Sequence, residues 1–128
     1  MDEFEIIGRE SISIEEGKHT GKVSRIEKRD TKEFVYLDVH VSVDGAEKGD
    51  GLPVTIKYGC PFDLTVNTKL GRLMMNFGVP RSDIEAKRKV NVADVLKKGI
   101  KVQFLTQNEK TDNGIFARIV DGTLKPLL

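Results

Sequence analysis

Residues 33–43, Glu-Phe-Val-Tyr-Leu-Asp-Val-His-Val-Ser-Val, constrain this chain more than any other stretch. Val35, Leu37, Val39, Val41 and Val43 fall on every second residue. A side-chain period of two describes a β-strand with one face in a core. Phe34, Tyr36, Asp38, His40 and Ser42 lie between them. A solvent-facing side would ordinarily be charged and polar throughout. Two aromatic rings, an imidazole and a hydroxyl mark it instead as a candidate binding surface.

The neighbouring segments extend a sheet. Lys18 to Arg29 reads as a strand whose apolar residues, Val23 and Ile26, are three apart. That spacing breaks alternation and predicts a β-bulge near Ser24-Arg25 and a bent strand. Gly17 and Gly21 suit close backbone approach at the bend. Leu52 to Tyr58 reads as a third strand, with Val54, Ile56 and Tyr58 inward and Gly59-Cys60-Pro61 ending it. Asp44-Gly45 is a turn signal between the two, which Ala46 to Gly51 lengthens into a polar loop. Ile12-Ser13-Ile14 alternates briefly and suits a short lead-in strand.

The period then changes. Leu70, Leu73, Met74 and Phe77 occupy one face of a helix, with Thr68 as N-cap and Gly78 just past the end. Ser82-Asp-Ile-Glu85 has capping-box spacing for a short helix through Lys89. Asn91 to Lys98 gives another helical turn or two, stopped by Gly99. Strands return at Ile100 to Thr106, with Val102 and Phe104 inward, and at Ile115 to Val120. Gln107 to Gly114 reads as a polar hairpin loop between them.

The order β-β-β-α-β-β, with a bent first strand and a helix between the third and fourth, is that of a mostly β protein. It fits a five-stranded OB-fold Greek-key barrel, with residues 81–98 as a short helical insert. At 128 residues the chain holds one such domain, over 17–128. Residues 1–16 form an acidic N-terminal arm, with one Arg against Asp2, Glu3, Glu5, Glu10, Glu15 and Glu16. The arm is thus net −5. Against a whole-chain charge of +1, the body is net +6. Two roles suit the arm: solubility, or competition with a polyanion for the basic body.

No apolar run reaches membrane-spanning length, and the acidic start lacks a signal-peptide layout. A single cysteine provides no internal disulfide. The expectation is a cytoplasmic protein without a membrane partner. No phosphate loop, paired-glycine nucleotide fingerprint or zinc spacing is present. Cys60 has only His19 and His40 for company and reads as a small buried hydrophobe. No catalytic residue, cofactor site or metal site is assigned, and the chain is not expected to be an enzyme.

Nucleic acid is the better match. Single strands bind through aromatic platforms for bases and cations for phosphates. Phe34, Tyr36 and His40 suit the platform. Lys22, Arg25 and Arg29 on the first strand suit the phosphates. So do Lys57 on the third, Lys110 on the last hairpin and Arg118 on the last strand. Lys28 and Lys32 adjoin this set. In an OB-fold the exposed side of strands two and three, flanked by the first and last hairpin loops, is the usual ligand surface. The Lys87-Arg88-Lys89 and Lys97-Lys98 clusters read as solvated faces away from it. Phe4, Ile6 and Ile7 of the arm offer an alternative, in which they cover Phe34 and Tyr36 as a second small core.

Glu16-Gly17, Leu70-Gly71-Arg72-Leu73, Phe77-Gly78 and Val95-Leu96-Lys97-Lys98-Gly99-Ile100-Lys101-Val102 also carry a resemblance. In order and spacing they resemble small prokaryotic and phage-type OB-fold proteins of the single-stranded DNA-binding, replication-associated kind. The resemblance covers the chain from Gly17 onward and rests mostly on glycines and core apolars. It implies single-stranded DNA binding in replication, recombination or repair, with RNA as another possible ligand. Replication proteins are implied as partners. Lys125-Pro-Leu-Leu ends the sequence without the acidic tip of bacterial single-strand binding proteins. A lone domain has a limited footprint, so a homo-oligomer would gain by avidity. The alternative is a protein–protein adaptor, a phage or replisome accessory factor, whose aromatic face is an interface hot spot.

Overall fold

The computed structural model describes residues 14–47 and 51–127. The fold is mostly β, an antiparallel six-stranded sheet with a helix between its third and fourth strands. The strands are β1 (Gly17–Asp30), β2 (Val35–Glu47), β3 (Pro53–Pro61), β4 (Lys101–Thr111), β5 (Gly114–Ile119) and β6 (Lys125–Pro126). Helix α1 (Lys69–Asn76) is followed by two short helical segments, α2 (Arg81–Glu85) and α3 (Val92–Val95). The spatial order is β3-β2-β1-β4-β5, and β6 pairs with β4.

β2 has the alternation its sequence predicts. Leu37, Val39, Val41 and Val43 are buried, and Val35 is half-buried. Val54, Ile56, Tyr58 and Cys60 of β3 lie beside them, and Val23, Val102, Phe104 and Ile119 add to the sheet's contribution. Leu70, Leu73 and Met74 of α1 close the core from one end. Fully burying each such side chain stabilises by about 1.5–3 kcal/mol. The Thr68 hydroxyl caps α1 by accepting from the Gly71 amide at 3.1 Å, as the sequence suggests.

β1 is bent where expected. Its register against β2 shifts between Val23 and Arg25, leaving Ser24 as the extra residue. Residues Gly17–Lys22 pair with β4, and Gly21–Asp30 pair with β2. Gly21 lies in both ladders. A Cβ there would stand 2.1 Å from the Ser42 carbonyl oxygen, so the bend requires glycine. Gly17 meets no such crowding; its φ of +124° is the reason for glycine there.

Several boundaries differ from the sequence reading. Asp44-Gly45 does not turn the chain; β2 runs through it to Glu47, with an irregular register and Gly45 at φ +73°. β3 ends at Pro61, as the proline suggests, but pairing continues past Tyr58, because Cys60 and Pro61 still pair with Leu37 and Tyr36. Pro is tolerated at this terminal position. Gln107 to Thr111 is strand, not loop, so Lys110 lies in β4 and the turn is only Asp112-Asn113. The capping box does not form: α2 starts at Arg81 with Pro80 in the cap position and no side-chain cap. β6 has no counterpart among the five strands that the sequence predicts.

The connection after β5 is tied to the rest of the fold. The Gly122 amide donates to the Tyr58 hydroxyl at 3.4 Å. Asn76 Nδ2 donates to the carbonyls of Gly122 and Leu124. Lys69 Nζ sits 4.2 Å from the Tyr58 ring centroid and 3.3 Å from Asp121. No helix among the described residues is long and apolar enough to cross a membrane.

Of the N-terminal arm, only Ile14, Glu15 and Glu16 are described. They lie along β4: Asn108 Nδ2 donates to the Ile14 carbonyl at 2.8 Å, and the Asn108 amide donates to Glu16 Oε1 at 2.8 Å. Phe4, Ile6, Ile7, Ile12 and the acids Asp2, Glu3, Glu5 and Glu10 lie outside the described residues.

Candidate nucleic-acid interface

Register assembles the face opposite the core in cross-strand rows. Lys57, His40 and Arg25 form one row across β3, β2 and β1. Thr55, Ser42 and Lys22 form the next on one side. Gly59, Asp38 and Glu27, then Pro61, Tyr36 and Arg29, follow on the other. The bulge at Ser24 is essential to this arrangement. Lys22 and Arg25 are three apart and would otherwise point to opposite faces. The extra residue resets the pleat, and the Ser24 hydroxyl anchors it by donating to the His40 carbonyl at 3.1 Å.

One end of this face is closed upon itself. Arg29 Nε donates to Asp38 Oδ2 at 2.8 Å and Nη2 to Oδ1 at 3.3 Å. The Asp38 hydrogen bond is the main reason the guanidinium pKa is raised. Asp38 is only 1% exposed, which the sequence pattern does not foretell. Gly59, its partner on β3, makes the room: a Cβ there would stand 3.1 Å from Asp38 Oδ1. The same guanidinium lies 4.6 Å from the Tyr36 ring centroid. Arg29 therefore holds a ring and a carboxylate rather than presenting a free charge.

The rings follow directly. Phe34 is 58% exposed and 6.2 Å from Tyr36, the planes tilted by 59°. The β1–β2 turn fixes its backbone: the Thr31 amide donates to the Phe34 carbonyl at 2.8 Å, and the Phe34 amide donates to the Thr31 hydroxyl at 2.9 Å. Phe62 is also exposed, with Lys28 Nζ 5.1 Å from its ring centroid. Its amide donates to the Val35 carbonyl, which keeps it beside the start of β2. In the sequence Phe62 is ambiguous, because it follows a proline at a strand end.

The other end is open. His40 Nε2 is buried without a hydrogen-bond partner among the described residues. Burial first, then Arg25, and more weakly Lys57, hold its pKa below the ordinary 6.5. Neighbouring Glu27 and Asp38 oppose this only in part. Arg25 reaches Glu27 at 3.4 Å, an exposed pair of little strength. Lys22 and Lys57 are exposed, and neither is ion-paired to a described residue.

The remaining predicted cations lie on the β4–β5 hairpin. Arg118 is on β5, beyond β1 and β4 from the aromatic row, and turns to Glu109 at 3.5 Å and Asp121 at 4.0 Å. Lys110 is on the same hairpin, opposite Ile115. Cys60 is fully buried, which pushes its thiol up to about 11 and away from nucleophilic use. His19 is stacked on Phe104, and its Nε2 donates to the Glu15 carbonyl, remote in the sheet from Cys60 on β3. Among the described residues no three His, Cys, Asp or Glu side chains gather as a metal site. Compared with protein-family models and with curated proteins, the chain finds no match in either.

Proposed function

We propose that this chain is an OB-fold barrel that binds single-stranded nucleic acid, DNA in the first instance, with little sequence preference. The strand order supports the barrel, as do contacts that bring β3 against β5, the two ends of the path. The observation that carries the function is the junction of two surfaces. The Phe34–Tyr36 ring pair shares one face with the rows bearing Arg25, Lys57 and Lys22, across the intervening row of Asp38 and Glu27. Bases stack on the rings, at about 1–3 kcal/mol per base whatever their identity. Phosphates follow the cations. Arg29 serves here as the support of Tyr36. Neither catalysis nor a cofactor is needed for this role, which belongs to replication, recombination or repair.

A second reading has one observation in its favour. Phe34 and Phe62 are both exposed near the start of β2, as an apolar anchor for a protein partner would be. Salt separates the two. Anisotropy of a labelled oligo-dT of about 30 nucleotides should show affinity falling linearly in log[salt], and Tyr36→Ala should weaken it by about 1–3 kcal/mol. Absence of binding even at low salt would overturn the single-strand reading. An apolar protein interface would barely respond to salt.

A further inference from the structure

The row Thr55–Ser42–Lys22 does not stop at β1. Lys22 is the partner of Ser42 on one side and of Lys101 on the other. Two exposed lysines thus occupy directly opposite positions on neighbouring strands, an arrangement of like charges that is destabilising unless an anion lies between or over them. Neither is ion-paired to a described residue.

Pairing with β1 also extends back before the start of β4. The Gly99 amide donates to the Val23 carbonyl at 2.7 Å, and the Val23 amide donates to the Ile100 carbonyl at 3.0 Å. The corner between α3 and β4 is thereby fastened to β1 at its bulge, beside Arg25. Within that corner the Ile100 amide donates to the Lys97 carbonyl at 3.0 Å, and Gly99 has φ +89°. This is a tight turn with glycine where positive φ is needed, and it fixes Lys97 and Lys98 in place. Both are exposed, and residues 95–108 contain three lysines and no acid. The β4–β5 hairpin is different, since its Arg118 already faces Glu109 and Asp121.

We infer that the phosphate path leaves the aromatic face by crossing β1 over Lys22 and Lys101 into the α3–β4 corner at Lys97 and Lys98, and not along the β4–β5 hairpin. The inference rests on the single-strand reading above and gives the bound strand its direction. It also reverses the expectation that Lys97 and Lys98 are solvated charges away from the site.

The test compares three full-length proteins on the same oligo-dT: wild type, Lys97→Gln/Lys98→Gln/Lys101→Gln, and Lys110→Gln/Arg118→Gln. Every single-strand phosphate that the protein no longer neutralises flattens the log–log salt slope by about 0.7, so the triple variant should be flatter by about 2. The hairpin variant should keep the wild-type slope. An oligo of about 6 nucleotides, near the lower end of what one such domain covers, should not distinguish the triple variant from wild type. The substituted side chains are exposed, and an unchanged thermal melt confirms that each variant is folded. A wild-type slope in the triple variant, or a flattening in the hairpin variant alone, overturns the path while the single-strand reading stands. Failure of wild type to bind overturns both.

Discussion

The two ends of one sheet face treat charge in opposite ways. In the row of Tyr36 and Arg29, the guanidinium is held by Asp38 and lies against the ring, so the end is rigid and electrically closed. Two rows along, Lys57, His40 and Arg25 leave a buried ring nitrogen without a partner, and beyond them Lys22 stands opposite Lys101. The first arrangement serves the fold. The second leaves Lys22, Lys57 and Lys101 without ion-pair partners among the described residues, which is what the proposed phosphate path uses. On the proposed reading, a cation contributes to binding when it lacks a partner, not merely because it lies on that face.

The largest test of that contrast is Asp38→Asn. It removes the carboxylate charge while keeping the shape, so Arg29 becomes an unpaired cation like Lys22 and Lys57 at the other end. The urea midpoint should fall, and the oligo-dT salt slope should steepen by about 0.7 as a new phosphate contact becomes available. A lower midpoint with an unchanged slope would mean that Arg29 is structural only.

His40 probes the open end. Its folded pKa is depressed, so the unfolded chain takes up that proton more readily. Its contribution to stability is full above the unfolded value of 6.5 and is lost as pH falls from there toward the folded value. Between about pH 7.5 and 5.5, wild type should lose more urea resistance than His40→Gln. Oligo affinity should move the other way, because a phosphate near the imidazole favours its protonated form. Wild type should gain affinity at the lower pH relative to the variant. Parallel pH dependence in the two proteins would remove His40 from the site.

The smallest effect concerns the arm. Removing residues 1–13 takes away Asp2, Glu3, Glu5, Glu10 and Arg9 and leaves Ile14–Glu16 docked on β4. If those acids compete for the open rows, affinity should rise a few-fold at low salt and by nothing at high salt, where the Debye length falls toward about 3 Å. Unchanged affinity at low salt would leave the arm a role in solubility or assembly.

Much of this is legible in the chain. β2 is buried on one side along its length, so its alternation is clean and its register is fixed. The bulge shows in the spacing of Val23 and Ile26, and α1 in its apolar period and caps. The shared face of Lys22, Arg25, Tyr36, His40 and Lys57 follows from those features together. What escapes is non-local or unpatterned. Asp38 looks solvent-facing because its burial depends on Arg29 across one strand gap and on the space left by Gly59 across the other. The β4–β5 hairpin from Gln107 outward has few buried residues, so nothing imposes alternation there and it reads as loop. β6 is two residues long and contains a proline. The meeting of Lys22 and Lys101 depends on a register that no single segment encodes.

The sharing of β1 between two partners has a kinetic consequence. Its second half pairs with β2 through a short turn, and β2 pairs with β3, which follows it closely in sequence, so the aromatic face is built from contacts near in sequence. Its first half must wait for β4: the Thr106 hydroxyl donates to the Gly17 carbonyl 89 residues away. Loop-closure entropy makes such pairings slow, in the millisecond-to-second range of β topologies. A chain caught before that step would carry the stacking rings on a three-stranded meander, with the first half of β1 an unpaired edge and the lysine corner unbuilt. The strand edge at risk of mispairing between nascent chains is therefore the one that later carries Lys18 and Lys22, and lysine on an edge opposes that mispairing.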